Sequence, residues 1–335
     1  MKRILITGAG GFIGGFIVAE ALKRGYETWA AVRATTSRRF LQDERIHFLV
    51  LDFNDEVGFR RTMQQAVAEH GKWDYVVHNL GATKAANYQE FSKVNYGYMK
   101  LMVDTLQAID AVPQVFLLMS SLSVMGPADD VHYTPFTPTD MPQPNTQYGV
   151  SKAKAETYLR MQPGFPYTIF RCTGVYGPHE RDYYQMMKSI KLGFDFSVGF
   201  KKQLLTFLYV EDLATAVMQA LEAGPKRRAY FISGDRAYTQ REFRQIVKHE
   251  LHKRFVIPVI CPKWVVRLVC SVGTLYTKAT GNPVLLNNDK YKILTQRNWT
   301  CDISDTRRDL GFEPRYDLAR GVHEAVRWYK QAGWL

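Results

Sequence analysis

The chain has 335 residues, with 44 Lys and Arg against 32 Asp and Glu and a formal net charge of +12. That length buries a large core, as one α/β domain with an elaboration or two joined domains, and it excludes a disordered or repeat protein. No uninterrupted apolar run reaches the ~18 residues that span a bilayer. Four scattered cysteines, Cys172, Cys261, Cys270 and Cys301, form no C-x-x-C pair and read as reduced thiols. With no signal peptide before the first strand, the expected location is cytoplasmic. The positive charge favours anionic ligands. A phosphate-bearing cofactor accounts for it better than nucleic acid does, since no zinc-finger spacing, RNP-like motif or basic tail is present. No metal site is expected.

Ile4 to Thr7 predict a short strand buried on both faces. Phe12-Ile13, Ile17-Val18 and Ala21-Leu22 give the apolar stripe of the helix that follows. Between them stand Gly8, Gly11 and Gly14. They serve a sharp turn, a close backbone approach to a pyrophosphate, and tight helix–strand packing, and the helix N-terminus beyond offers N–H groups to phosphate. Phe12 and Ile13 lie on that cradle.

Glu27 to Val32 form a second strand, whose end decides between NAD and NADP. A carboxylate there would bond the adenosine ribose; this chain has Arg33, Thr35, Thr36, Ser37, Arg38 and Arg39 instead. Arg33 and Arg38 suit a 2′-phosphate, so NADP is expected with NAD possible. The same stretch also reads as a solvated basic loop. His47 to Leu51 predict a third strand ending in Asp52-Phe53. Asp52 is placed either at the adenine amino group or as the cap of a helix beginning near Asp55. Tyr75 to His78 predict a fourth strand, followed by a small-residue turn Asn79-Leu80-Gly81-Ala82 beside the cofactor. A helix over 94–108 starts with Asn95, and a fifth strand over 115–119 delivers Ser120 and Ser121.

Tyr148 and Lys152, one turn apart on the next helix, share a face. A free phenol has a pKa near ~10 and is a poor base at neutral pH; a Lys ammonium one turn away favours the phenolate. Ser121 is then placed to hydrogen-bond a substrate oxygen while Tyr148 exchanges its proton. Further strands and helices follow over 169–171, 207–214, 229–233, 240–252, 299–303 and 317–331. The helix over 263–277 carries Trp264, Val265, Leu268, Val269, Val272, Leu275 and Tyr276 at helical spacing, bordered by Lys263, Arg267 and Lys278. Its stripe is expected to face the core as the wall of an apolar substrate pocket; contact with a membrane surface is the less favoured alternative.

T-G-A-G-G-F-I-G at 7–14, Asp52, N-L-G-A at 79–82, Val94-Asn95, S-S-L-S-V-M-G at 120–126, Y-G-V-S-K at 148–152 and R-C-T-G-V-Y-G-P at 171–178 resemble, in order, the extended short-chain dehydrogenase/reductase family of NAD-dependent epimerases and dehydratases. The resemblance implies a doubly wound parallel Rossmann sheet over residues 1–172, with returning segments at 206–235 and 300–304. It implies a smaller C-terminal α/β substrate domain from 173–205 and 236–335. It also implies a Ser121–Tyr148–Lys152 centre, with Lys152 on the nicotinamide ribose, and dimerisation through 94–110 and 148–160. Phe53, Leu80, Gly81, Ala82, Asn95 and Val175 join the cofactor contacts; Thr83, Ser123 and His179 are substrate candidates.

Departures from that pattern narrow the chemistry. Dehydratases of the family place an Asp-Glu pair after the catalytic Ser or Thr, where this chain has Leu122-Ser123. UDP-sugar 4-epimerases place an Asn where Gly174 stands and an Arg near Leu205. The 263–277 helix with its T-G-N-P turn resembles the hydroxysteroid-dehydrogenase-like and dihydroflavonol-reductase-like members. The expected activity is reversible hydride transfer between NAD(P) and an alcohol or carbonyl of a hydrophobic small molecule, with nucleotide-sugar epimerisation as the alternative.

Overall fold

Strand β1 (Arg3–Thr7) is buried from Ile4 onward, as befits the middle of a parallel sheet covered by helices on both faces. The computed structural model describes residues 1–335 apart from Pro283 and Leu285. From β1 the chain runs through α1 (Phe12–Lys23), β2 (Glu27–Val32), β3 (His47–Val50), α2 (Glu56–His70), β4 (Tyr75–His78), α3 (Tyr88–Ser92), α4 (Tyr98–Ala108), β5 (Val115–Ser121), α5 (Gln147–Arg160) and β6 (Tyr167–Cys172). It continues through β7 (Gly174–Tyr176), α6 (Asp182–Lys191), β8 (Phe194–Val198), β9 (Leu204–Tyr209), α7 (Val210–Glu222), β10 (Ala229–Ile232), β11 (Ala237–Thr239) and α8 (Gln240–Glu250). The last elements are β12 (Ile257–Cys261), α9 (Lys263–Thr280), α10 (Asn288–Thr295), α11 (Ser304–Leu310) and α12 (Leu318–Gln331).

The main sheet has the order β10-β6-β5-β4-β1-β2-β3 with every pairing parallel. This is the Rossmann order with one strand added, and it puts the reversal of strand order between β1 and β4, where such sheets bind ligands. One face is covered by α1 and α7 through Ile17, Val18, Leu213 and Val217. The other is covered by α2, α4 and α5 through Met63, Met102, Leu106 and Leu159. A third core, around Tyr176, Phe207, Phe243, Val322 and Tyr329, joins the small sheet β11-β9-β7 to α6, α8 and α12.

Three expectations are corrected. The 204–209 strand belongs to the small sheet, while α7 and β10 return to the main one. Among the described residues the 299–303 segment returns to pack on Leu122 and Phe231 through Trp299 and Ile303 but forms no strand beyond an isolated bridge between Phe136 and Cys301, and the main-sheet edge at β10 is covered by α11, with Thr306 donating to the Phe231 carbonyl at 2.7 Å. Above all, the apolar stripe of α9 faces outward: Trp264, Leu268, Val272 and Leu275 are exposed, and only Cys270 and Thr277 are buried. The inward face is made of small residues because the following segment presses on it, so closely that a Cβ on Gly273 would lie 2.0 Å from the Leu286 carbonyl oxygen. Pro283 of the T-G-N-P turn lies outside the described residues.

Two glycines separate the effects of space and conformation. A Cβ at Gly14 would lie 2.1 Å from the Gly8 oxygen, where the obstacle is backbone, whereas Gly25 has φ +77° and nothing within 4 Å. Urea unfolding should show Gly14→Ala losing about 3 kcal/mol, the upper range of overpacking, and Gly25→Ala only about 1 kcal/mol of left-handed strain; equal losses would contradict this account.

Candidate active site

Gly8 turns the chain with φ +66°, and its Cα packs on the β4 turn so closely that a Cβ would meet the Leu80 backbone at 3.0 Å. The Gly11 N–H closes the turn onto the Gly8 carbonyl at 3.0 Å. Helix α1 then starts at Phe12 with no side-chain cap and no acidic residue in its first turn. Its leading N–H groups, including those of Phe12 and Ile13, therefore have no side-chain acceptor, and the bare backbone at Gly11 lets an anion approach them. These residues fit the diphosphate of a dinucleotide.

At the neighbouring strand ends, the loop after β2 is pressed against this turn: a Cβ on Gly10 would lie 2.3 Å from Thr36 Cγ2. Thr36 Oγ1 accepts from the Arg33 N–H at 3.0 Å. Arg33 is exposed, and Arg38 lies over the Phe48 ring at 4.1 Å. Neither guanidinium is in an ion pair among the described residues. Asp52 accepts from the Asn54 N–H at 2.9 Å and does not cap α2; Asp55 does, accepting from Gly58. Phe53 packs at a tilt against Phe59 and Tyr98, and Tyr98 lies within the fields of both Asp52 and Arg33.

Tyr148, Lys152 and Ser121 come together where α5 meets the end of β5. Burial pushes the Tyr148 phenol up to about 12, and a hydrogen bond with Ser121 opposes that shift. Lys152 is buried, which lowers its ammonium to about 8, and Nζ donates to the Met119 carbonyl at 2.9 Å. The expected acidification of the phenol by this ammonium is therefore corrected: the lysine's hydrogen bond goes to the strand, and desolvation dominates at the tyrosine. Gly81 stands against the lysine, with a Cβ there only 2.8 Å from Nζ. Val175, on β7, packs against the main core.

Asn95 departs from its expected role as a cofactor contact. It lies in a π-helical turn, Lys93–Gly97, and is 1% exposed. Oδ1 accepts from the Ala82 N–H at 2.8 Å, and Nδ2 donates to the Ala82 carbonyl and to Ser151 Oγ at 3.0 and 2.9 Å. With these bonds made, the side chain clamps the Leu80-Gly81-Ala82 turn to α5 from behind.

Sequence reasoning missed three supports. Glu156, one turn beyond Lys152, is 2% exposed; it receives Arg171 Nη2 at 2.7 Å and Ser120 Oγ at 2.6 Å. Its place at i+4 from Lys152, on the inward face of the helix, was the available signal. Asp289 of α10 accepts from the Gln147 and Tyr148 N–H groups at 2.7 and 3.4 Å, holding the start of α5 from a distant part of the chain. His78 is buried, and Leu80 N–H donates to Thr7 Oγ1 at 3.1 Å, which leaves the Thr7 proton for His78 Nδ1 at 3.3 Å and His78 Nε2 without a partner.

On the substrate side, a Cβ at Gly174 would lie 1.9 Å from Tyr183 Oη, so an aromatic side chain fills the space that an Asn would need. Leu205 packs against the small-domain core. Ser123 donates its N–H to Ser121 Oγ at 3.2 Å. Thr83 is exposed beside Lys84, which pairs with Asp182 at 3.2 Å. His179 has φ +73° and stacks on Phe40 at 3.6 Å, with Phe16 and Trp328 around it. Its pKa falls to about 4 through burial, and no hydrogen bond joins it to Tyr148, Ser121 or Ser123 among the described residues.

A strand–glycine turn–helix cradle beside a half-buried Tyr148 and a buried Lys152 defines an α/β dinucleotide enzyme class. Residues 4–233 match the NAD dependent epimerase/dehydratase family, and the chain belongs to that family. It is 21% identical to a sterol-4-alpha-carboxylate 3-dehydrogenase, decarboxylating, of Dictyostelium discoideum, over 97% of this chain and 100% of the relative. It is 24% identical to a UDP-glucose 4-epimerase of Vibrio cholerae, over 99% and 96%. The fold is similar to that of the UDP-glucose 4-epimerase of Thermotoga maritima crystallised with UDP-glucose, with TM-score 0.76, 20% identity and coverage of 98% and 99%.

His78 yields a pH prediction. Burial and the neighbouring Lys152 push it down to about 3, so between about 6.5 and 3 the unfolded chain holds a proton that the folded chain does not. The stabilisation is complete above the unfolded value and declines as pH falls, by up to ~1.4 kcal/mol per pH unit. Urea midpoints measured across this range should fall less steeply in His78→Phe; parallel curves would rule out the assignment.

Proposed function

We propose that this protein transfers hydride reversibly between a nicotinamide dinucleotide, preferentially NADP, and an alcohol or carbonyl of a hydrophobic small molecule. The observation that carries the reading is the Tyr148–Ser121–Lys152 constellation followed by Leu122-Ser123, with Tyr183 filling the space at Gly174. That arrangement offers proton transfer without an acidic pair for elimination and without the expected polar grip on a sugar nucleotide. When bound, the dinucleotide supplies or accepts the hydride. In the reducing direction Tyr148 gives its phenolic proton to the carbonyl oxygen and Ser121 donates a hydrogen bond to that oxygen, while Lys152 would hold the nicotinamide ribose. In the oxidising direction the proton returns to Tyr148.

Unpaired Arg33 and Arg38 beside the glycine turn support the NADP preference. We further assign Gly81, Ala82 and Val175 to the nicotinamide side and Ser123 and Thr83 to the substrate side. The scattered free cysteines support a cytoplasmic location, and a homodimer is proposed through α4 and α5.

NADPH consumption with a panel of hydrophobic aldehydes and ketones tests the reaction. Tyr148→Phe should lower kcat by at least ~10²-fold, within the range of a lost general acid, while fluorescence titration shows NADPH still bound. Turnover of UDP-glucose without added dinucleotide would instead establish epimerisation. For the cofactor, Arg33→Asp should weaken NADPH roughly tenfold or more relative to NADH by removing a charge-assisted contact; tighter NADH binding by the unaltered protein would overturn the assignment.

A further inference from the structure

Helix α9 turns its apolar side away from the protein. Trp264, Leu268, Val272 and Leu275 lie on one stripe at helical spacing and are 70, 60, 58 and 65% exposed, opposite the inward Cys270, Gly273 and Thr277. The helix has 18 residues and is ~27 Å long. It continues directly from β12, and the β12–β8 ribbon extends the same kind of surface. Asp195 points inward to Gln240 and Arg244 of α8 at 2.8 and 3.0 Å, so strand alternation turns Phe194 and Phe196 outward. The two parts adjoin at Gly199, whose N–H donates to the Cys261 carbonyl at 2.9 Å and where a Cβ would lie 3.3 Å from Lys263 Cε. Phe200, beside this junction, is 77% exposed. Exposed apolar side chains gathered on adjoining elements in this way mark an interaction site.

The segments that form this surface carry cations and, apart from the inward Asp195, no carboxylate of their own. From residue 251 to 288 the chain holds five Lys and Arg and no Asp or Glu, and from 196 to 210 it holds Lys201 and Lys202 and no carboxylate. None of these cations is in an ion pair among the described residues. A second copy docked symmetrically on this face would press the cations against their own equivalents. A negatively charged, deformable apolar phase satisfies the stripe and the cations together. No helix among the described residues is long and apolar enough to cross a membrane, which leaves an in-plane orientation.

We propose that α9 and the outward face of the β8–β12 ribbon dock on the surface of a lipid bilayer bearing anionic headgroups. The apolar stripe enters the headgroup boundary, and Lys263 and Arg267, on its flank, meet the lipid phosphates. Docking is independent of the reaction assigned above, so the test reads binding and not turnover.

Vesicles of phosphatidylcholine with phosphatidylglycerol, and of phosphatidylcholine alone, are sedimented with the full chain. The expected result is partition onto the anionic vesicles that weakens with added salt and is at least ~10-fold lower in the Leu268→Asp, Val272→Asp double variant. Both side chains are exposed, so the variant should keep the native Tm. Without any substitution at that stripe, Trp264 fluorescence should shift to the blue on anionic vesicles, a change that Trp264→Phe removes. Native protein that stays in the supernatant, equal binding to neutral vesicles, or an unaffected double variant each overturns the proposal. So does an oligomer that dissociates in the double variant while vesicles bind neither form, which would assign the face to a second copy.

Discussion

With both partners almost wholly removed from water, the Glu156–Arg171 pair ties α5 to β6, and it does so directly behind the end of the helix that carries Tyr148 and Lys152. A buried charge pair is tolerated when its remaining hydrogen-bonding capacity is filled, and here Ser120 from β5 supplies the third bond. Helix α5 is thereby fixed to two adjacent strands, one of which also presents Ser121 while its Met119 carbonyl holds Lys152. Losing one partner would leave the other charge buried and alone, a change of about 3–5 kcal/mol in comparable pairs. The position of the phenol relative to Ser121 rests on this bracing more than on any direct contact between Tyr148 and Lys152.

Lys152 and Tyr148 illustrate how burial outweighs proximity. Their one-turn spacing suggests mutual tuning, yet both groups are desolvated and each moves toward its neutral form, the phenol up and the ammonium down. A phenol raised in this way keeps its proton at neutral pH. Asn95 and Asp289 act on the same geometry from outside, the first on the turn that faces the lysine and the second on the first N–H groups of α5.

Much of this was legible in the chain because the signals are local. The alternation between buried strands and the apolar stripe of α1 located β1, α1, β2 and β4 almost to the residue, and the glycine spacing located the turn between them. What escaped notice depends on distant partners. Periodicity reveals that α9 has an apolar face but not which way it points, and the deciding contact, the Leu286 carbonyl against Gly273, comes from the segment beyond the helix. A glutamate in a helix is ordinarily solvated, so the i+4 spacing from Lys152 hints at an inward Glu156, but the charge that lets it be buried, Arg171, lies on a neighbouring strand. Asp289 reaches Tyr148 across 141 residues, and no spacing rule joins them.

The seventh strand of the main sheet carries a consequence for how the molecule assembles. Strand β10 pairs with β6 only after the chain has made the whole excursion through β7, α6, β8, β9 and α7, and α11 then seals its outer side through Thr306 and the Arg228–Asp305 pair. A nascent chain emerging from the ribosome therefore carries an open β6 edge until residues 229–232 are available, and an open β10 edge until α11 is complete. Such late, long-range strand addition slows acquisition of the native state and leaves a sticky intermediate, so production of this protein should benefit from slow translation or chaperone supply.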